Sequence, residues 1–341
     1  MLTVILGAGA SFDSAQAFSD FESYLAGPWR PPLAKDLFLD PKHSFGRIVE
    51  KYPKLSHILP YLRDTRGRSV ELVLESLQEE SKANFETARE LMSVRFYLCE
   101  LMNRITEEWS SKTNGVTNYS PLIREILRLN KPGEQVCLIT FNYDMLLDRA
   151  LQTFDFKDRE PEGYLDSHGI LKLFRLHGSS GWARLVEGIP GRASPRTLVE
   201  QAEVLSISDK FVRADATNPE QMFLFDKPII PAIAIPVQTK TERSFECPAS
   251  HLSRLKEMLP EVDKILIVGW QAQEAHFLEI LRTHLKRVQR VMVVGANEYD
   301  AKKTLPHFLS GTQISGHQAL FGSEGFTHFI VSQEIGALFA D

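Results

Sequence analysis

Three short polar motifs each follow an apolar run, where a strand would end and its neighbouring side chains could do chemistry. The first is Gly7-Ala8-Gly9-Ala10-Ser11. Glycines there let a backbone come close to a pyrophosphate, which the amides of the following turn can bind. Phe12 stands where a third glycine would complete a dinucleotide fingerprint, so a bare tight turn explains the motif about as well. The second is Thr140-Phe141-Asn142-Tyr143-Asp144, whose Asn142 and Asp144 serve either a ligand or a helix cap. The third is Leu176-His177-Gly178, an imidazole beside a glycine and a candidate base, although a lone histidine is more often structural. Two later strand ends, Val268-Gly269-Trp270 and Val294-Gly295-Ala296-Asn297-Glu298, fit a nucleotide site, with Asn297 or Glu298 available to ribose hydroxyls. Strand-end turn chemistry explains them equally simply.

The elements that must hold these motifs are legible as short β-branched runs at 3–6, 136–140, 229–230, 264–268, 291–294 and 327–331, with a further apolar run at 171–176. Near-continuous apolar runs predict strands covered on both faces, as in a parallel sheet. Helical spacing follows several of them, at 144–154 and 272–288. The expected fold is therefore α/β: a Rossmann-like, doubly wound, mainly parallel sheet. Between roughly 46 and 130 the pattern is helical throughout, with a long stretch at 85–110, and it predicts an inserted helical subdomain. The expected organisation is 1–45 with 131–341 as the nucleotide-binding domain and 46–130 as the insertion. A stretch at 183–227, rich in glycine, proline and charge, reads as a surface excursion or lid.

Composition bounds the function. The chain has 341 residues, 43% hydrophobic and 24% charged, with a net charge of −5. That balance gives no global field for nucleic acid or anionic lipid, and no direct nucleic-acid binding is expected. The basic residues Arg282, His284, Lys286, Arg287 and Arg290 read as a solvated helix face. No apolar stretch reaches the length of a membrane helix, and the apolar start lacks the basic flank of a signal peptide. The expected setting is cytoplasmic. Cys99, Cys137 and Cys247 lie far apart and form no CxxC pair, so neither a disulfide framework nor a cysteine-quartet zinc ribbon is expected.

Taken in order, the three motifs resemble the sirtuin superfamily. The Thr-Phe-Asn-Tyr-Asp spelling at 140–144 resembles the sirtuin-like effectors of bacterial anti-phage defence, which hydrolyse NAD. Residues 30–38, the Ile229-Ile230-Pro231 segment and Ile267-Val268-Gly269 resemble the same branch, so the likeness runs from residue 4 to about 300. It implies that Gly7, Gly9 and Ser11, with Ala8 and Ala10 between them, hold the NAD phosphates. Thr140 and Gly269 complete the cofactor-binding set, and Asn297 and Glu298 stand where sirtuins contact the adenosine ribose. Asn142 would orient a water at the anomeric carbon, Asp144 would support that loop, and His177 would be the base. No metal is implied.

The missing zinc ribbon argues against deacetylation and for hydrolysis of NAD to nicotinamide and ADP-ribose, as an abortive-infection effector. Unchecked, such an activity would kill the host, so it is expected to be gated. No sensor domain is legible, which implies a homo-oligomer and a co-encoded activating partner. A DNA-translocase-type ATPase is favoured over a short Argonaute. Two alternatives stay open: a module that senses NAD or ADP-ribose without cleaving it, and a zinc-free protein deacylase or ADP-ribosyltransferase.

Overall fold

The computed structural model describes residues 1–14, 30–39, 45–65, 67–154, 156, 160–165, 169–189, 191–221, 223–237 and 245–340. Its strands in chain order are β1 (Leu2–Leu6), β2 (Val136–Thr140), β3 (Leu171–Arg175), β4 (Gly178–Glu187), β5 (Ser206–Arg213), β6 (Phe223–Leu224), β7 (Lys227–Ile233), β8 (Lys264–Val268), β9 (Arg290–Val294) and β10 (Gln318–Phe321). Six of them form one all-parallel sheet in the order β10-β9-β8-β1-β2-β3. Counted among themselves, these strands run 3-2-1-4-5-6, the doubly wound Rossmann order, whose direction reverses between β1 and β8.

The apolar runs form this sheet because helices cover both of its faces, and every residue of β1, β2 and β3 is buried. Helix Tyr119–Leu129 supplies Leu122, Ile123 and Ile126 to that core, and helix Ala275–His284 supplies Phe277 and Leu281. The 327–331 run departs from expectation: it lies in a helix, Gly325–Val331, not in a strand. Phe326 and Phe329 are its buried apolar side chains, three apart on one helical face. The last strand of the sheet is instead β10, a half-exposed edge with little apolar signal.

A second core joins the helices between Phe45 and Thr113 to a four-stranded sheet ordered β5-β4-β7-β6. Its axis is helix Phe85–Thr113, which starts where the Asn84 side chain accepts the amides of Glu86 and Thr87 and ends at left-handed Asn114. The helix lies across β4 and β7, with Phe96, Tyr97, Leu98, Cys99 and Leu101 fully buried. Stretch 183–227 is accordingly no irregular excursion. It holds the second half of β4, helix Pro195–Glu200, β5 and β6, and its apolar residues Ala183, Leu185, Val186 and Val212 face this core. The Ile229-Ile230 run belongs to antiparallel β7 rather than to the parallel sheet.

An aromatic cluster ties the two layers together. Buried Trp182 on β4 meets Tyr164, Phe211 and His251 edge-on, with centroids 5.2, 6.3 and 5.7 Å away. His251 donates from Nε2 to the Pro161 carbonyl at 2.7 Å. Burial lowers this imidazole from 6.5 to about 4, and the Pro161 bond offsets only part of that. The unfolded chain therefore takes up this proton first as the pH drops. The stabilisation is complete above pH ~6.5 and lost on the way down to the folded value, about 3 kcal/mol in all. Melting temperatures of wild type and His251→Gln taken between about pH 7 and pH 5 should show the smaller acid loss in the variant. No helix among the described residues is long and apolar enough to cross a membrane.

Candidate functional site

Strand register brings the motifs to one edge of the parallel sheet. Leu6 stands opposite Thr140 and Val268, Thr140 opposite Arg175, and Val268 opposite Val294. Gly7, Phe141, Leu176, Gly269 and Gly295 therefore leave the carboxyl ends of five adjacent strands at one level. Ligands of open α/β sheets sit at this edge, at the point where strand order reverses.

At that reversal the turn after β1 and the turn after β8 press together. Gly7 and Gly9 donate their amides to the Val268 and Gly269 carbonyls, both at 3.0 Å. A Cβ on Gly7 would lie 2.5 Å from the Gly269 oxygen, and one on Gly269 would lie 2.3 Å from the Ala10 nitrogen. Gly269 also has φ +60, a region that L side chains disfavour. Gly269→Ala should therefore cost about 2–4 kcal/mol, combining left-handed strain with overpacking. The urea midpoint would report it. These glycines are required for backbone packing whether or not a phosphate binds beside them.

The loop after β2 is held by three successive carbonyls. The buried Arg175 guanidinium donates to the Asn142 carbonyl at 2.8 Å and to the Asp144 carbonyl at 2.6 Å, and the Ser180 amide takes the Tyr143 carbonyl at 2.8 Å. Arg175 is itself paired with buried Asp148, to which Tyr164 also donates at 2.9 Å. The Thr140 hydroxyl accepts the Asn142 amide N–H at 3.1 Å, and Asp144 Oδ1 accepts that of Leu146 at 3.0 Å, starting helix Leu146–Gln152. Burial pushes the Asp144 carboxyl up, against the opposing pull of Ser11 and Arg175.

The Asn142 side chain turns toward the first motif. Its Nδ2 donates to Ser11 Oγ at 3.0 Å and to the Tyr119 hydroxyl at 3.3 Å, and those two hydroxyls share a hydrogen bond of 2.7 Å. The Ser11 side chain is thus engaged within the protein. Asn142 Oδ1 is buried and has no hydrogen-bond partner. Several other buried side-chain atoms share this condition; here, in a residue 7% exposed at the sheet edge, it leaves an acceptor available to a bound group.

His177 leaves the neighbouring strand and is 4% exposed, ringed by Phe141 at 4.8 Å, Tyr143 at 6.4 Å and Phe245 at 6.5 Å. Phe141 stacks on Trp270, so the aromatic wall continues to the turn after β8. Ala8 opens helix Ala8–Ser14, and Ala10 is buried beneath it. Asn297 and Glu298 lie at the end of β9 with other engagements: Asn297 caps the Asp300 amide at 2.9 Å, and Glu298 pairs with Lys302 at 2.7 Å. Arg175 and Tyr119 were not legible as site residues. One lies inside an apolar run and the other on a helix before β2, and neither type stands out there. Among the described residues, no group of three or more His, Cys, Asp or Glu could hold a metal ion.

The fold and site define a Rossmann-like α/β protein with a buried polar cluster at its switch point. No family model and no curated protein matches the chain.

Proposed function

We propose that this chain is a gated NAD hydrolase, releasing nicotinamide and ADP-ribose. The observation that carries the reading is the unpartnered Asn142 Oδ1, buried beside the strand-order reversal and one strand from His177. In this reading NAD lies across the turns of Gly7, Ala8, Gly9, Ala10 and Gly269, its adenosine ribose toward Asn297 and Glu298. The Ser11 amide, rather than its engaged hydroxyl, serves the phosphates.

The chemistry needs little more than position. The bond between nicotinamide nitrogen and ribose C1′ breaks, its electron pair passing to the ring and leaving nicotinamide neutral. A water oxygen bonds to C1′, and its proton passes to His177 and then to solvent. Asn142 Oδ1 accepts from that water and fixes its approach. The aromatic wall of Phe141, Trp270 and Phe245 excludes other water from the oxocarbenium-like state.

Gating is supported by the site itself. Asn142 and His177 are 7% and 4% exposed, so substrate entry requires the surrounding turns to open. We assign that opening to assembly, as a homo-oligomer or with a co-encoded DNA-translocase-type ATPase, in a cytoplasmic anti-phage role. Purified protein with NAD, alone and with its genomic neighbour, should release nicotinamide and ADP-ribose by mass spectrometry in at least one state. NAD bound and uncleaved in both states would instead favour the sensing module.

A further inference from the structure

The Asn142 amide can work as described only if it presents oxygen, not nitrogen, to the substrate side. An isolated Asn has no preference between the two orientations, and a flip would exchange them. Something in the fold must choose.

The hydrogen-bond inventory around Ser11 makes the choice. Two acceptors lie near the buried end of the amide, Ser11 Oγ at 3.0 Å and the Tyr119 hydroxyl at 3.3 Å, matching the two hydrogens of Nδ2. The two hydroxyls also bond each other at 2.7 Å, which uses one of their two hydrogens. Only one hydroxyl hydrogen is therefore left for an oxygen turned toward them. Turning the amide over would replace two N–H donations by at most one O–H donation, and Nδ2 would sit where Oδ1 now has no partner. The amide makes two hydrogen bonds in the arrangement seen and at most one in the alternative.

We infer that Tyr119 is a positioning residue for the proposed hydrolysis: with Ser11 it locks the Asn142 amide so that Oδ1 faces the reacting water. This rests on the NAD-hydrolase reading for its purpose but not for its geometry.

The rest of the fold treats Tyr119 as a fixed part. It is fully buried at the first turn of helix Tyr119–Leu129, its ring 5.9 Å from Phe326. The preceding Asn118 donates to Thr327 Oγ1 at 3.0 Å, and the Thr327 amide donates to Asp13 Oδ2 at 2.8 Å. Asp13 lies two residues beyond Ser11 in the same helix. Helix Gly325–Val331 therefore clamps the Ser11 helix and the Tyr119 helix to each other, which sets the distance across which the two hydroxyls meet. A packing role alone would require the ring and not the hydroxyl.

Tyr119→Phe keeps the ring and removes only the hydroxyl, so it separates the two roles. The first readout is hydrogen exchange of the Asn142 side-chain NH2, followed by nitrogen-15 NMR and assigned as the signal missing from Asn142→Asp. The lock predicts slow exchange in wild type and about tenfold or greater acceleration in Tyr119→Phe, the effect of losing one buried hydrogen bond. In whichever state wild type cleaves NAD, the variant should lose about tenfold or more in kcat with KM within about twofold. Should Tyr119→Phe fail to fold, Ser11→Ala tests the same lock by the same exchange rate. Unchanged exchange in the folded variant overturns the inference. So does a rise in KM with kcat unaltered. Absence of NAD cleavage by wild type in every state would overturn the hydrolase reading alone, because the exchange measurement judges the lock without turnover.

Discussion

Asn142→Ala is expected to lower nicotinamide release by about 10²-fold or more, and His177→Ala by about 10²–10⁴-fold, with both proteins still folded. The two losses have different causes. Alanine at 142 removes a buried acceptor that the described residues leave unmet, and with it the fixed approach of water. Alanine at 177 removes the proton acceptor but leaves Phe141 and Phe245 to close over a small void. Neither side chain carries the sheet. The backbone carbonyl of Asn142 still receives Arg175, and that of His177 still receives the Ala234 amide at 3.0 Å. The Asn142 truncation leaves the Ser11–Tyr119 bond in place, so its stability cost is that of about one or two hydrogen bonds, roughly 1–3 kcal/mol. Because the two residues act in one step, the double variant should be little worse than His177→Ala alone. Turnover by mass spectrometry, beside thermal melting, gives the answer. Wild-type turnover in either single variant would remove that residue from the mechanism.

What the sequence made legible follows from which physical signals are local. Strands such as Val136–Thr140 and Lys264–Val268 are buried on both faces and read as uninterrupted apolar runs, so five of the six parallel strands were visible. The sixth, Gln318–Phe321, sits half-exposed at the edge, where no strong apolar selection marks it. Its place was given to 327–331, where Phe-Ile-Val looks like a strand. There Gly325 at φ +77 precedes Phe326 and Phe329 at helical spacing, and the helix wins by burying both. The stretch 183–227 misled because antiparallel strands alternate in character and tolerate the charges that mark loops elsewhere. Ser206–Arg213 buries only Phe211 and Val212. At the site, Asn142, Asp144 and His177 could be picked out because polar residues at strand ends are unusual. Tyr119 could not be, since a tyrosine at a helix start announces nothing. Its role depends on a contact across 108 residues, with Ser11, that only the fold creates.

Arg175 carries the largest stability prediction. Its side chain is wholly buried, Asp148 is nearly so, and the pair is closed by two Nε contacts of 3.2 and 3.0 Å besides the NH2 bond. Burial works against the guanidinium charge, yet Asp148, Tyr164 and Asp144 together hold it above the usual arginine range. Arg175→Met leaves the Asp148 carboxylate buried without its cation and strips the donors from the Asn142 and Asp144 carbonyls. The expected cost is about 3–5 kcal/mol. Arg175→Lys keeps the charge but loses the planar fork that reaches three groups at once, so it should recover only part of that. Asp148→Asn retains an acceptor for Tyr164 and should rescue the methionine variant, since most of the damage is an unpaired charge rather than a lost attraction. In a double-mutant cycle on urea midpoints, Arg175→Met with Asp148→Asn should therefore be milder than the sum of the single changes by about 1–3 kcal/mol. Additive losses would mean that the ion pair is incidental and that the carbonyl bonds alone hold the loop. The same substitutions bear on function through geometry, because the loop that aims Asn142 is anchored at two of its three carbonyls by this one guanidinium. Even where Arg175→Met/Asp148→Asn folds, turnover should stay far below wild type, because a loop free to shift by about 1 Å can lose about 10²-fold in rate.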